Sequence, residues 1–209
     1  VKLRGLYAIT PEGLAQEGLV ASVARALAGG ARLLQYRSKD KDPRRRAEAA
    51  HALAALCRSH GALFIVNDDV ELALAVGADG AHLGREDGDL AAARARLDGK
   101  LLGASCYDRI SLAQAAIAAG ADYVAFGSVF ASPTKPAAVR APLSLFAQAR
   151  ALGVPLCAIG GVTAENASLL IRAGADLLAV VSDLFDARDI AARARVYTRL
   201  FDPESVTPP

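Results

Sequence analysis

The chain has 209 residues, 53% of them hydrophobic and only 5% aromatic, with 24 Lys and Arg against 22 Asp and Glu for a formal net charge of +2. That length suits one domain of the larger kind, and the apolar content excludes a chain that is disordered throughout. The balanced charge gives no bulk basic surface for nucleic acid, and no run reaches the about 18 apolar residues that a membrane helix needs.

The three cysteines, Cys57, Cys106 and Cys157, lie far apart without CxxC spacing, so neither a zinc site nor a disulfide framework is indicated. No apolar stretch follows a basic segment near residue 1, and the expectation is a cytoplasmic protein that is neither secreted nor membrane-bound. Self-association into a homo-oligomer is left open.

In chain order, strands are predicted over residues 6–10, 33–37, 63–67, 80–84, 101–106, 123–129, 155–160 and 177–182. Helices are predicted over 15–28, 43–60, 69–76, 90–97, 110–119, 143–152, 164–173 and 187–200. One phrase marks the helix-to-strand junctions: GGARLLQYR at 29–37, VGADGAHLG at 76–84, AGADYVAFG at 119–127 and AGADLLAVV at 173–181. In each, glycine ends a helix and an apolar run begins the next strand.

Strands that are short, aliphatic and without strict polar alternation are buried on both faces, which requires a parallel sheet under helices. Eight βα units in this length predict an α/β fold, a single-domain (β/α)8 TIM barrel over 1–201 with a loose tail at 202–209. A doubly wound open sheet competes, but no GxGxxG follows strand 1.

A barrel enzyme carries its site at the carboxyl ends of its strands. Those ends supply Gln35, Arg37 and Lys39 after strand 2, Asn67, Asp68 and Asp69 after strand 3, and His82, Glu86 and Asp87 at strand 4. Strand 5 gives Ser105; strand 6 runs into Ser132, Pro133, Thr134 and Lys135; strand 7 gives Gly160 and Gly161; strand 8 gives Val181, Ser182 and Asp183. Gln35, Arg37 and Lys39 share one direction at a period of two, and Arg37 with Lys39 and Lys135 suits phosphate.

Asp68 and Asp87 are candidate ligands for a hard cation such as Mg²⁺, whereas Asp69 reads equally as a helix-start carboxylate. Gly160 and Gly161, followed by a helix starting at TAEN, admit a phosphate, with Ser182 completing a second anion pocket. His82 reads as a packed core histidine, and Cys106 lacks a histidine partner for nucleophilic chemistry. The Arg44-Arg45-Arg46 run, flanked by Asp42 and Glu48, reads as a solvated helix start.

Taken in order, LYAIT, QYRSK, VNDD with GADGAHLGREDGD, GAS, FGSVFASPTK, AIGGV and VVS resemble the thiamine-phosphate synthase family over residues 6–182. The resemblance implies a TIM barrel that joins a hydroxymethylpyrimidine diphosphate to a thiazole phosphate and releases diphosphate. It implies that Gln35, Tyr36, Arg37, Ser38, Lys39, Asn67, Ser105 and Lys135 hold the pyrimidine diphosphate, with Arg37, Lys39, Ser105 and Lys135 acting on the reacting groups. Asp68 and Asp87 would carry Mg²⁺, and Ser132, Pro133, Thr134, Gly161, Val181 and Ser182 the thiazole phosphate.

Two departures accompany it. Ser132 stands where the family usually has threonine, and Ser105-Cys106-Tyr107 replaces Ser-x-His. Other readings are a thiazole tautomerase-like paralogue, a lyase barrel with a Schiff-base lysine at Lys39 or Lys135, and a phosphate-binding barrel without turnover.

Overall fold

The structure is a computed structural model and describes residues 3–131 and 139–202. Eight parallel strands close into one barrel in sequence order: β1 (Gly5–Ile9), β2 (Leu33–Tyr36), β3 (Leu63–Asn67), β4 (Gly80–Leu83), β5 (Leu101–Tyr107), β6 (Tyr123–Phe126), β7 (Leu156–Ile159) and β8 (Leu177–Val180). β8 pairs back onto β1 through Leu6 and Leu178, so the sheet has no edge.

The helices are α1 (Gln16–Ala28), α2 (Pro43–Ser59), α3 (Val70–Ala75), α4 (Leu90–Arg96), α5 (Ile110–Ala118), α6 (Ser144–Ala149), α7 (Ala167–Ala173), α8 (Ser182–Phe185) and α9 (Ile190–Arg199). None is long and apolar enough to cross a membrane. Aspartates start several of them: Asp42, Asp69, Asp89 and Asp189 accept backbone N–H groups of the first turn, and Pro43 needs no such partner.

Strand alternation divides the core in two. Tyr7, Ile9, Leu33, Ile65, Tyr123, Cys157, Leu177 and Ala179 fill the barrel. Leu6, Ala8, Leu34, Tyr36, Phe64, Val66, Leu102, Val124, Phe126 and Leu178 face the helix layer. Both faces are buried, which is why the strands carry no polar alternation. Outside β6, Phe126 meets Phe146 of α6 edge-on, the ring centroids 5.7 Å apart.

The recurring Gly-Ala-Asp has a structural purpose at the opposite end of the barrel from the site. Asp79, Asp122 and Asp176 accept the backbone N–H of Phe64, Leu102 and Leu156 at 2.7, 2.7 and 3.0 Å. Each aspartate N–H also donates to the carbonyl of that same residue at 2.8 Å. These reciprocal bonds pin neighbouring strand starts together, so the phrase fixes register.

Three local predictions differ from the structure. β6 ends at Phe126, because Val129 and Phe130 turn to donate to the carbonyls of Ile159 and Gly160 at the end of β7. Ser182 opens the short helix α8 and is not a strand residue. Helix α7 begins at Ala167, because Asn166 Oδ1 accepts the Thr163 N–H at 2.9 Å and holds 163–166 as a turn.

Candidate active site

Among the described residues, the carboxyl ends of the strands carry the predicted polar side chains toward one rim. Gln35 points into the barrel from β2, 3% exposed, and its Nε2 donates to Tyr7 Oη at 2.9 Å. Tyr36, one residue on, sits in the helix layer, so its ring faces away from the barrel interior. Arg37 follows the end of β2, its backbone clamped to Thr10: the Arg37 N–H donates to Thr10 Oγ1 at 2.8 Å, and Thr10 Oγ1 donates to the Arg37 carbonyl at 3.0 Å.

The side chain of Arg37 forms an ion pair with Glu12, and Lys39 Nζ lies 3.3 Å from the same carboxylate. Arg37 and Lys39 thus meet at one carboxylate, whereas Gln35, expected to point the same way, turns inward to Tyr7. Glu12, in the loop after β1, was not anticipated; nothing in its local sequence marks it. Ser38 instead serves its own loop, its Oγ accepting the Asp40 N–H at 3.1 Å.

Asn67 ends β3 and pairs in register with His82 of β4. Asp68 follows with φ 64°, a left-handed backbone unusual for a residue with a side chain, and its N–H donates to the His82 carbonyl at 2.8 Å. Asp69 is taken up structurally: it caps α3 through Leu72 N–H at 2.9 Å and pairs with Arg46. Asp87 lies in the loop after β4, where its Oδ2 accepts the Gly84 N–H at 2.8 Å.

Asp68 and Asp87 thus come from adjacent strand ends, and both offer only carboxylate oxygen. No cluster of three or more His, Cys, Asp or Glu with metal-site geometry occurs among the described residues. Two hard donors without imidazole or thiolate fit Mg²⁺, which keeps water and substrate phosphate in its remaining positions, and do not fit a protein-caged zinc.

Ser105 of β5 receives a hydrogen-bond contact from below, His82 Nε2 standing 2.9 Å from its Oγ. His82 is buried, as the sequence indicated, and burial pushes it down to about 4, so it is neutral. Its other nitrogen is 3.1 Å from Tyr123 Oη, and Tyr123 Oη is 2.8 Å from Tyr7 Oη. Tyr7 and Tyr123 were read only as apolar strand residues.

Tyr107, at the position of the family's histidine, has φ 54° and turns its ring to solvent under Arg85, whose Cζ is 4.9 Å from the ring centroid. A cleft of about 680 Å³ opens here, lined by Arg85, Tyr107, Arg109 and Gly127.

On the far side of the rim, Gly160 and Gly161 have φ 96° and 65°. A Cβ on either would collide with the segment after β6: with Ser128 Cα at 2.7 Å for Gly160, and with Phe130 Cβ at 2.8 Å for Gly161. The Gly161 carbonyl accepts from Asn166 Nδ2 at 2.9 Å. Val181 and Ser182 lie at the start of α8, and the adjacent Asp183 pairs with Arg193 at 3.3 Å and accepts from Tyr197 Oη at 2.6 Å. Ser132, Pro133, Thr134 and Lys135 lie outside the described residues.

Fold and rim together define a (β/α)8 barrel that gathers amide, cationic and carboxylate side chains at the carboxyl ends of its strands. The family described as thiamine monophosphate synthase matches residues 6–184. The chain is 62% identical over 201 residues to the thiamine-phosphate synthase of Chromobacterium violaceum, covering 96% of this chain and 97% of that one. It is 61% identical over 203 residues to that of Aromatoleum aromaticum, covering 96% and 98%. Thiamine phosphate pyrophosphorylase from Pyrococcus furiosus superposes with a TM-score of 0.86 at 34% identity, covering 99% of this chain and 98% of that one. The chain belongs to the thiamine monophosphate synthase family.

Proposed function

We infer that this chain is a thiamine-phosphate synthase, a transferase of thiamine biosynthesis that joins the methylene carbon of 4-amino-2-methyl-5-hydroxymethylpyrimidine diphosphate to the nitrogen of thiazole phosphate. The observation that carries this reading is the convergence of Gln35, Arg37, Lys39, Asn67, Asp68, Asp87 and Ser105 on one rim of a barrel whose relatives bear that name. Neither the tautomerase-like nor the lyase alternative is favoured by these relatives.

The proposed course is dissociative. The C–O bond to diphosphate breaks and its electron pair leaves with the diphosphate; the pyrimidine ring and its amino group support the resulting cation; the thiazole nitrogen lone pair then forms the C–N bond. That nitrogen carries no proton, so no general base is required.

Within this scheme Arg37 and Lys39 neutralise the charge that grows on the leaving diphosphate, and the family pattern assigns Lys135 the same task. Gln35, Asn67 and Ser105 orient the pyrimidine, a contribution through proximity rather than proton transfer. Asp68 and Asp87 would hold Mg²⁺, which when bound supplies further stabilisation of the leaving phosphate oxygens. The thiazole phosphate is assigned to Gly161, Val181 and Ser182 with the 132–134 segment.

Chromatography of reactions containing both substrates, or each alone, tests the reading. Thiamine phosphate is expected only when both are present. Consumption of a thiazole tautomer without a joined product would instead place the chain with the tautomerase-like paralogues.

A further inference from the structure

The interior of the barrel holds a hydrogen-bonded chain of five side chains that crosses from β2 to β5. It runs Gln35, Tyr7, Tyr123, His82, Ser105, with successive separations of 2.9, 2.8, 3.1 and 2.9 Å. Five strands contribute one residue each: β2, β1, β6, β4 and β5. Tyr7 and Tyr123 are 1% and 0% exposed, Gln35 3% and His82 6%. Of the five, Ser105 alone is partly exposed.

Each link has a limited supply of hydrogens, and this sets a direction. Gln35 Nε2 donates to Tyr7 Oη, so the single Tyr7 hydroxyl hydrogen is left for Tyr123 Oη. Tyr123, having accepted, sends its own hydrogen to His82 Nδ1. An imidazole that accepts at Nδ1 carries its proton on Nε2, and that N–H points at Ser105 Oγ. The Ser105 hydroxyl hydrogen is then free to face the site. Turning the Gln35 amide over would reverse every link and leave Ser105 without a hydrogen to offer.

We propose that Tyr7, Tyr123 and His82 are positioning residues that lock this chain in one polarity, so that the pocket presents an acceptor at the Gln35 carbonyl and a donor at the Ser105 hydroxyl. Such a pattern selects a ligand that donates on one side and accepts on the other, as an aminopyrimidine carrying a diphosphate does. That assignment of ligand rests on the function proposed above; the polarity itself does not.

Local packing supports the role. Burial holds both phenols well above their ordinary range, so they remain hydrogen donors at any working pH. The Tyr123 and His82 rings are tilted 34° to each other with centroids 5.6 Å apart, and both lie against Gly103, where a Cβ would fall 2.5 Å from His82 Nδ1. The glycine of the GAS motif therefore leaves the space through which the Tyr123 to His82 link passes.

The polarity is read directly from the histidine tautomer. In uniformly ¹⁵N-labelled protein at neutral pH, long-range ¹H–¹⁵N correlation spectra distinguish His82 from the exposed His51 and His60. The expected result is a single Nε2–H tautomer for His82. An Nδ1–H tautomer, or a mixture, overturns the proposal.

Tyr7→Phe keeps the ring and removes the link between Gln35 and the rest. Expected are a roughly 5- to 10-fold rise in KM for the pyrimidine diphosphate, the order of one lost hydrogen bond, and a mixed His82 tautomer, with the KM for thiazole phosphate unchanged. A folded Tyr7→Phe protein with wild-type KM and an unaltered His82 spectrum contradicts the positioning role. Because the tautomer is measured without turnover, an inactive protein with Nε2–H His82 would refute the proposed reaction while leaving the polarised chain intact.

Discussion

Glu12 and Arg37 form an ion pair between the loop after β1 and the end of β2, and Lys39 approaches the same carboxylate. The two cations assigned to the leaving diphosphate are thus gathered by an acidic side chain from a different loop. All three side chains are partly exposed, so the arrangement holds them together at little energetic depth, about 0–1 kcal/mol for pairs of this kind. A diphosphate carries more charge than one carboxylate and would displace it from these cations.

Replacing Glu12 by Gln removes a competitor for Arg37 and Lys39. The expected outcome is a KM for the pyrimidine diphosphate lowered by roughly 2- to 5-fold, with kcat maintained, since an exposed pair contributes at most about 1 kcal/mol. Steady-state kinetics at fixed Mg²⁺ checks this. A raised KM would mean that Glu12 orients the cations productively instead of competing for them.

The neighbouring aspartates separate into two kinds. Asp87→Ala is expected to lower turnover at least ~100-fold, corresponding to about 3 kcal/mol of lost transition-state stabilisation. Asp69→Asn, by contrast, weakens a helix cap and the Arg46 pair, costing about 1 kcal/mol of folding stability while leaving kcat within about two-fold. Denaturant unfolding and turnover measured on both variants separate the two effects.

The thiols give a pH-dependent prediction. Burial pushes Cys57 and Cys106 up to about 12 and Cys157 higher still, from an ordinary value of 9.0. Below pH 9 both folded and unfolded chains keep these protons, and stability is unaffected. Above it the unfolded thiols ionise first, so the unfolded state binds fewer protons and stability falls as pH rises toward 12. Native protein at pH 8 is expected to resist iodoacetamide at all three cysteines and keep its activity, as mass spectrometry would show; rapid modification of Cys106 would contradict its burial.

Gly161→Ala tests the second flank. Its positive φ and the approach of Phe130 leave no room for a methyl group, so the segment after β6 must move. The variant is expected to lose about 1–3 kcal/mol of stability and to raise the KM for thiazole phosphate more than that for the pyrimidine diphosphate. An equal rise in both would remove Gly161 from the thiazole side.

Much of this molecule was legible in its sequence because the barrel repeats itself: each Gly-Ala-Asp junction carries a helix stop, a register bond and a strand start in consecutive residues. Arg37, Lys39, Asn67, Asp68 and Ser105 were visible as polar residues at the ends of apolar runs. Tyr7 and Tyr123 were not, because a tyrosine inside a buried strand looks like core until its hydroxyl partner is known, and theirs is 116 positions away. Glu12 was missed for a similar reason, since its partners lie on the next strand. The turn before α7 has no signature in the periodicity, because an asparagine that captures a backbone N–H leaves little trace there.

The joining reaction and its metal are tested together by the rate of thiamine phosphate formation from both substrates, measured by chromatography with Mg²⁺, with excess EDTA, and after Mg²⁺ is restored, in wild type and Asp87→Ala. Product that EDTA abolishes and Mg²⁺ returns is expected in the wild type, with the variant at least ~100-fold slower in Mg²⁺. Product formed at the same rate in EDTA, or a fully active Asp87→Ala enzyme, would contradict it.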